Sequence, residues 1–388
     1  MAGERTYDVV LFGATGFTGG LTAEYLARHA PPGLRWALAG RNPDRLAAAR
    51  DRLAAIDPAL ADLPLLSADV TDPDSLRTVA RSARVVASTV GPYVRHGEPL
   101  VAACAEAGTD YLDITGESEF VDLMYVRHHA EATRTGARLV HACGFDSVPH
   151  DLGVWFTVKH LPADAAITVD GYVRVSARFS AGTYHSALTA FSRTGQASRA
   201  ARERRAVEPR PTDRRVRAVS GRLTRSAELG IWTVPLPTID PQVVRRSAAT
   251  RPEYGPDFRY RHFAAVKRLT TVLAGGVGLG ALVGLVKVPL TRRWLLGLSA
   301  PGRGRHRGSG RRPGSGSGSW APVAGGGCSP RSPAAIRATT RRRRCSPSRR
   351  SAWRSTTCRR PPVRSRRSPR WARRCSTGWC GRGSPSGC

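Results

Sequence analysis

The stretch Tyr7 to Gly20, YDVVLFGATGFTGG, constrains this chain more than any other. Val9, Val10, Leu11 and Phe12 make the continuous apolar run of a strand buried on both faces. After Gly19 the apolar residues Leu21, Tyr25 and Leu26 follow helical spacing instead. Gly13, Gly16 and Gly19 mark the change at intervals of three. A strand, a glycine turn and a helix start in succession leave unpaired N–H groups and the positive end of a helix dipole above the strand. Glycine at such a turn permits unusual backbone angles, and glycine at the helix start lets a phosphate come close. The element predicts a dinucleotide site contacted by Gly13, Thr15, Gly16, Phe17, Thr18 and Gly19.

Beyond it the chain keeps alternating. Arg35–Gly40, Leu65–Val70, Arg84–Thr89, a run entered through Gly108–Asp113, and Ala137–Ala142 are further strands, with helical patterns between them. This predicts an α/β domain over residues 1–150, a Rossmann-type doubly wound parallel sheet. Arg41 stands at the end of the second strand. An acidic residue there would hold the ribose hydroxyls of NAD, whereas an arginine pairs with the 2′-phosphate of NADP. Asp69, ending the third strand, is placed either to meet the adenine amino group or to cap the next helix. Gly91 and Pro92, after the fourth strand, are placed beside the nicotinamide ribose.

Four block matches make a resemblance specific. GATGFTG at 13–19, LAGRNPDRL at 38–46, VGPYVRHGEPLVAACAEAGTDYLDITGE at 90–117 and CGFDSVPHDLG at 143–153 resemble the saccharopine-dehydrogenase-like oxidoreductases. Within that group they are most similar to the actinobacterial trans-acting enoyl reductases. The resemblance implies an NADP-dependent reductase of an enoyl double bond on a lipid-bound or carrier-bound polyketide intermediate in (glyco)lipid biosynthesis. The competing expectation is a catalytically inactive, membrane-associated scaffold that retains the nucleotide fold.

None of the nine tyrosines has lysine four places on, so the Tyr-x-x-x-Lys acid of other reductases is absent; so are HExxH, paired CxxC and GxSxG. Tyr93, Asp146 and Ser147 lie in loops at carboxyl ends of strands and are the candidates for proton donation or substrate positioning. No metal is expected: His128–His129 fall in a polar helix, and His141 and Cys143 flank a strand end as packing or surface residues.

Residues 151–300 are expected to form a second, α+β domain. It opens with a helix over Leu152–Lys159. Ile167–Phe179 alternates like a strand, and Gly182–Thr183 start a helix that brings Ser186 to the cleft. Arg199–Arg225 reads as a solvated, arginine-rich excursion, with contact to anionic headgroups or an acidic carrier protein as the alternative. Residues 269–286, LTTVLAGGVGLGALVGLV, carry no charge, and cationic residues flank them. They point to a segment lying on or dipping into a membrane, with a buried core helix or a true span as the alternatives. The expected partners are therefore an acyl substrate and the inner face of the plasma membrane, for a cytoplasmic protein that forms a homo-oligomer if it associates.

The net charge of +32 resembles that of a nucleic-acid binder, but 23 arginines and no acid lie in residues 301–388, leaving 38 basic against 29 acidic side chains before them. Six of the eight cysteines are there too, so the body shows no disulfide framework. The tail lacks leucine and any apolar period, which predicts disorder. Its residue set is that of a GC-rich gene read out of frame, and the family resemblance stops near Ser299–Pro301. A frameshifted tail, with no specific nucleic-acid partner, is the expectation.

Overall fold

The computed structural model describes residues 4–145, 147–174, 186, 188–190, 192–227, 229–287, 291 and 334–341. Side chains along β1 (Tyr7–Phe12) go to alternate faces, and both faces are covered. Leu11 meets Leu38 of β2 (Trp36–Gly40) and Leu46 and Leu53 of α2 (Pro43–Ala54), on the side that also holds α1 (Phe17–His29). Val10 and Phe12 meet the opposite layer: Leu76 of α3 (Pro73–Ser82), Leu100 of α5 (Glu98–Ala107) and Phe120 of α6 (Ser118–Thr135), with α4 (Tyr93–His96) a single turn between. Each such fully buried aliphatic side chain contributes about 1.5–3 kcal/mol relative to exposure.

With β3 (Leu65–Ser67), β4 (Ala83–Ser88), β5 (Asp110–Asp113) and β6 (Leu139–Val140), the sheet has the order β3-β2-β1-β4-β5-β6, all pairs parallel. Val10 lies opposite both Ala37 and Val86. The strand order reverses direction between β1 and β4, which places the crevice above the carboxyl ends of these two strands. The doubly wound expectation is met.

The second half is α+β. α7 (Val148–Val158), β7 (Ala166–Val173), α8 (Thr194–Val207), β8 (Arg215–Ala218), β9 (Thr224–Ser226), β10 (Ile231–Pro235), α9 (Asp240–Thr250), β11 (Asp257–Val266), α10 (Leu269–Lys287) and β12 (Ala334–Arg341) follow in order. The mixed sheet runs β12-β7-β11-β10-β9, and β8 pairs in parallel with β11. Val154 and Val158 of α7 and Val244 and Ala248 of α9 close one face over Ile167, Val169, Phe258 and Tyr260. α7 also leaves an open stripe of Val148, Leu152 and Phe156, each at least 40% exposed, at the spacing of one helix face.

Two expectations need correction, and for the apolar run two alternatives fall away. The arginine-rich run is not simply a solvated excursion: α8 packs on α6, and Arg204 is 1% exposed. Its guanidinium donates to Asp122 Oδ1 at 2.9 Å and Glu208 Oε1 at 2.8 Å, and those carboxylates compensate its burial. The apolar run 269–286 forms α10 and is not a core helix, since Leu273 and Val277 are 58% and 75% exposed and a Cβ on Gly276 or Gly280 would meet nothing within 4 Å. At 1.5 Å per residue its 19 residues span roughly 28 Å, and among the described residues no helix is long and apolar enough to cross a membrane. Finally, Ala334–Arg341, inside the tail expected to be disordered, is a strand antiparallel to β7, with Ala334 opposite Val173 and Arg341 opposite Ala166. The sequence there, AAIRATTR, holds isoleucine and threonines that suit a strand, and β7 presents an edge to pair with. The rest of residues 301–388 lie outside the described residues.

Candidate functional site

Three helices follow the first three strands, and their starts differ in one respect. Asn42 caps α2 by accepting from the Arg45 N–H at 2.9 Å, and Asp72 caps α3 by accepting from Asp74 and Ser75; both helices open with proline. α1 begins at Gly16 in extended conformation, with no side-chain cap and no acid in its first turn. Its leading N–H groups are thus left for an external acceptor, and the helix dipole favours that acceptor being an anion.

The turn before it is built tightly. Gly13 has φ +92°, a conformation side chains rarely adopt, and its amide is held by the Ala39 carbonyl at 2.9 Å. Thr89 Oγ1, from the loop after β4, donates to the Phe12 and Gly13 carbonyls at 3.2 Å each. A Cβ on Gly19 would strike the Gly13 carbonyl oxygen, so α1 can start this close to the turn only with glycine there. Thr15, Gly16 and Phe17 are exposed above the turn and Thr18 is half-buried. The structure therefore brings together all six residues of the glycine motif.

Arg41 is exposed directly after β2 and, among the described residues, has no hydrogen-bond or ion-pair partner. Asp69 spends Oδ1 on the Thr71 N–H and hydroxyl at 2.9 and 2.8 Å, an arrangement that holds its carboxyl below the usual range, with Arg41 adding to the effect. The helix cap proposed for it falls to Asp72 instead. The exposed guanidinium and the structured loop around Asp69 together edge the end of the crevice nearest β2 and β3.

At the other end, Gly91–Pro92 turns away from β4 through a cis bond. Glu117, 4% exposed, organises this loop: it accepts from the Tyr93 and Val94 N–H groups at 3.0 and 2.8 Å and from the Ser186 hydroxyl at 2.8 Å. Ser186 thereby stands beside Gly91, its Oγ 3.8 Å from where a Gly91 Cβ would be, whereas Gly182 and Thr183, expected to start its helix, lie outside the described residues. Glu117 itself carried no assignment in the sequence, because nothing in a lone glutamate after a strand shows which backbone amides it will gather.

Of the catalytic candidates, Tyr93 is a core residue. Its ring is 5% exposed against Phe120, and its hydroxyl donates to the Ser88 carbonyl at 3.0 Å. Burial, with Asp113 nearby, pushes that hydroxyl far above the ordinary phenol range. The structure thus commits this hydroxyl to the core. Asp146 lies outside the described residues. Ser147, 1% exposed at the start of α7, has no hydrogen-bond partner for Oγ among the described residues. The loop before it is fixed by fully buried Asp113, which accepts from His141 Nδ1 at 2.7 Å and from the Thr115 and Ala142 N–H groups at 3.0 Å.

The uncapped helix, the glycine turn and the free guanidinium fit a phosphorylated dinucleotide: the α1 start for the pyrophosphate, Arg41 for a further phosphate, Gly91 and Pro92 for the far ribose. The family described as saccharopine dehydrogenase NADP binding domain matches residues 9–140. A trans-acting enoyl reductase of Mycobacterium ulcerans is 40% identical over 309 residues, covering 71% of this chain and 72% of that protein. A saccharopine dehydrogenase-like oxidoreductase of Arabidopsis thaliana, named as mitochondrial, is 36% identical over 266 residues, 64% of this chain and 57% of that protein. Among solved structures, apo saccharopine dehydrogenase (L-Glu forming) from Saccharomyces cerevisiae aligns with a TM-score of 0.34 and 19% identity over 44% of this chain and 36% of that one. The cofactor of the site is NADP.

Proposed function

This chain belongs to the saccharopine dehydrogenase-like trans-acting enoyl reductases and is an NAD(P)H-dependent oxidoreductase, and on that premise we propose that it reduces an α,β-unsaturated acyl group carried on a lipid or carrier protein. NADPH held at the start of α1 and by Arg41 would supply a hydride to the β-carbon, and a proton from solvent at the α-carbon would complete the saturated product. The observation that carries this reading is the pairing of a complete phosphate cradle at Gly13–Gly19 with relatives of that activity over most of the chain.

The chain's own residues supply position rather than a strong acid. Glu117 holds the Gly91–Val94 backbone and Ser186 in one arrangement against the crevice. Ser147, at the head of α7, is 1% exposed, so its part is to hold the loop that leads into α7 rather than to touch the acyl group. The exposed stretch 269–286 of α10, which carries no charge, supports a role at a lipid surface, where it would bring the crevice to a substrate that does not enter bulk water.

The test uses NADPH deuterated at C4 with enoyl thioesters on coenzyme A and on an acyl carrier protein. Oxidation of NADPH with deuterium appearing at the β-carbon is the expected result. NADPH binding without turnover on any enoyl acceptor sinks the reductase reading and leaves the scaffold.

A further inference from the structure

One cluster of chemically capable side chains lies away from the nucleotide crevice. His150 is in the first turn of α7, Asp240 opens α9 and His262 is in the middle of β11, so three elements separated in sequence converge. All three are buried, at 2%, 3% and 4% exposure. The two carboxylate oxygens of Asp240 face one imidazole each: Oδ1 lies 3.7 Å from His150 Nε2, and Oδ2 lies 3.5 Å from His262 Nε2. The two rings meet edge to face with centroids 4.9 Å apart.

These separations are too long for N–H···O hydrogen bonds, which lie near ~2.7–3.2 Å. They come close to another requirement. Around a tetrahedral zinc with ligand bonds of ~2.0–2.2 Å, neighbouring ligand atoms sit about 3.3–3.5 Å apart. One ligand atom from each of the three residues falls within 4.8 Å of the others, wider than that spacing, so a metal would draw the three side chains inward. We propose that His150, Asp240 and His262 form a divalent-metal site whose preferred occupant is zinc, with a fourth position left to water.

The surroundings are those of a ligand set. Tyr260 Oη lies 2.8 Å from His262 Nδ1; in the tautomer with the proton on Nδ1 the phenol oxygen accepts it, and Nε2 is then free to present its lone pair toward Asp240. The Thr238 hydroxyl donates to Asp240 Oδ2 and orients the carboxylate. Two imidazoles and a carboxylate are a borderline nitrogen–oxygen donor set that suits zinc better than calcium or magnesium, which take oxygen. A cation here would tie α7, which begins immediately after Ser147, to β11 and α9 of the second sheet.

The experiment strips the full chain with a chelator, restores zinc, removes the excess and measures bound metal by mass spectrometry, with melting temperature and the cobalt(II) visible spectrum alongside. One zinc per chain, a raised melting temperature and tetrahedral cobalt bands without thiolate charge transfer are expected. His150→Gln and His262→Gln should each lose the zinc while still binding NADPH, and serine at the six tail cysteines should leave it in place. No retained zinc and an unmoved melting temperature in the unaltered chain overturn the proposal, whether or not the histidine variants fold. So does zinc that persists in the double histidine variant or disappears with the tail cysteines.

Discussion

A Cβ added to Gly19 would stand 2.1 Å from the carbonyl oxygen of Gly13 and 2.8 Å from Thr89 Oγ1. The first turn of α1 is pressed against the backbone it must hold open, and the obstructing atom is main chain that cannot swing aside. Gly19→Ala is expected to cost about 1–3 kcal/mol of stability through overpacking, and to weaken NADPH binding at least tenfold as the helix start moves off the turn. Gly20→Ala is the control, because its nearest neighbour, the Ala14 carbonyl oxygen, is at an ordinary 3.8 Å. Thermal melts and nicotinamide fluorescence on the pair decide it; equal behaviour would mean the close approach has no consequence for binding.

Arg41 tests the cofactor's extra phosphate. It is exposed and has no protein partner among the described residues, so removing it strands no buried group. Charge-assisted hydrogen bonds are worth about 1.5–3 kcal/mol, so Arg41→Asp should lose roughly ten- to hundredfold in NADPH affinity and change NADH affinity little. The ratio of the two dissociation constants is the readout. An unchanged ratio would place the 2′-phosphate elsewhere.

How much of this could be seen in the sequence depends on the range of the interaction. The glycine turn, Asn42–Pro43 and Asp72–Pro73 are local: each sets its own backbone within a few residues, and strands β1 to β6 follow from short-range pattern. Ser186, expected near the cleft, lies against Glu117. What stayed hidden depends on contacts between distant residues. Tyr93 occupies a loop at a strand end, which suggests a reacting group, but its hydroxyl turns inward to Ser88. Arg204 looks like one of many solvated arginines until α6 brings Asp122 to it across 82 residues. His150, Asp240 and His262 have no motif spacing at all, because the sheet and two helices bring them together.

The Arg204–Asp122 pair makes its own prediction. Both side chains are buried, and burial raises the Asp122 carboxyl even with the guanidinium beside it. Arg204→Met leaves Asp122 and Glu208 without their main cation and should cost about 3–5 kcal/mol, the usual penalty for breaking a buried pair from one side. The double change Arg204→Met with Asp122→Leu should recover part of that loss, since the stranded charge is removed with its partner. Urea melts of the four proteins in this cycle give the coupling. A double variant as unstable as the sum of the singles would show that the two groups do not act on each other.

Cys143 offers a check on the loop that leads to Ser147. Its thiol is partly buried, donates to the Val140 carbonyl at 3.4 Å, and is pushed up to about 11 by burial and by the charge of Asp113. At pH 8 the thiolate fraction is then ~0.1%, against ~24% for an ordinary thiol near 8.5, so alkylation should be slower by about 200-fold than at the same cysteine in denatured protein. The sign with pH is also set: from pH 8 to 9 the native rate should rise about tenfold, because the group remains below its midpoint, whereas the denatured rate should rise only about threefold. Peptide mapping after timed iodoacetamide treatment measures both rates. A native Cys143 that alkylates as fast as the denatured one would mean that the loop held by Asp113 and His141 opens readily, and with it the positioning of α7 and Ser147.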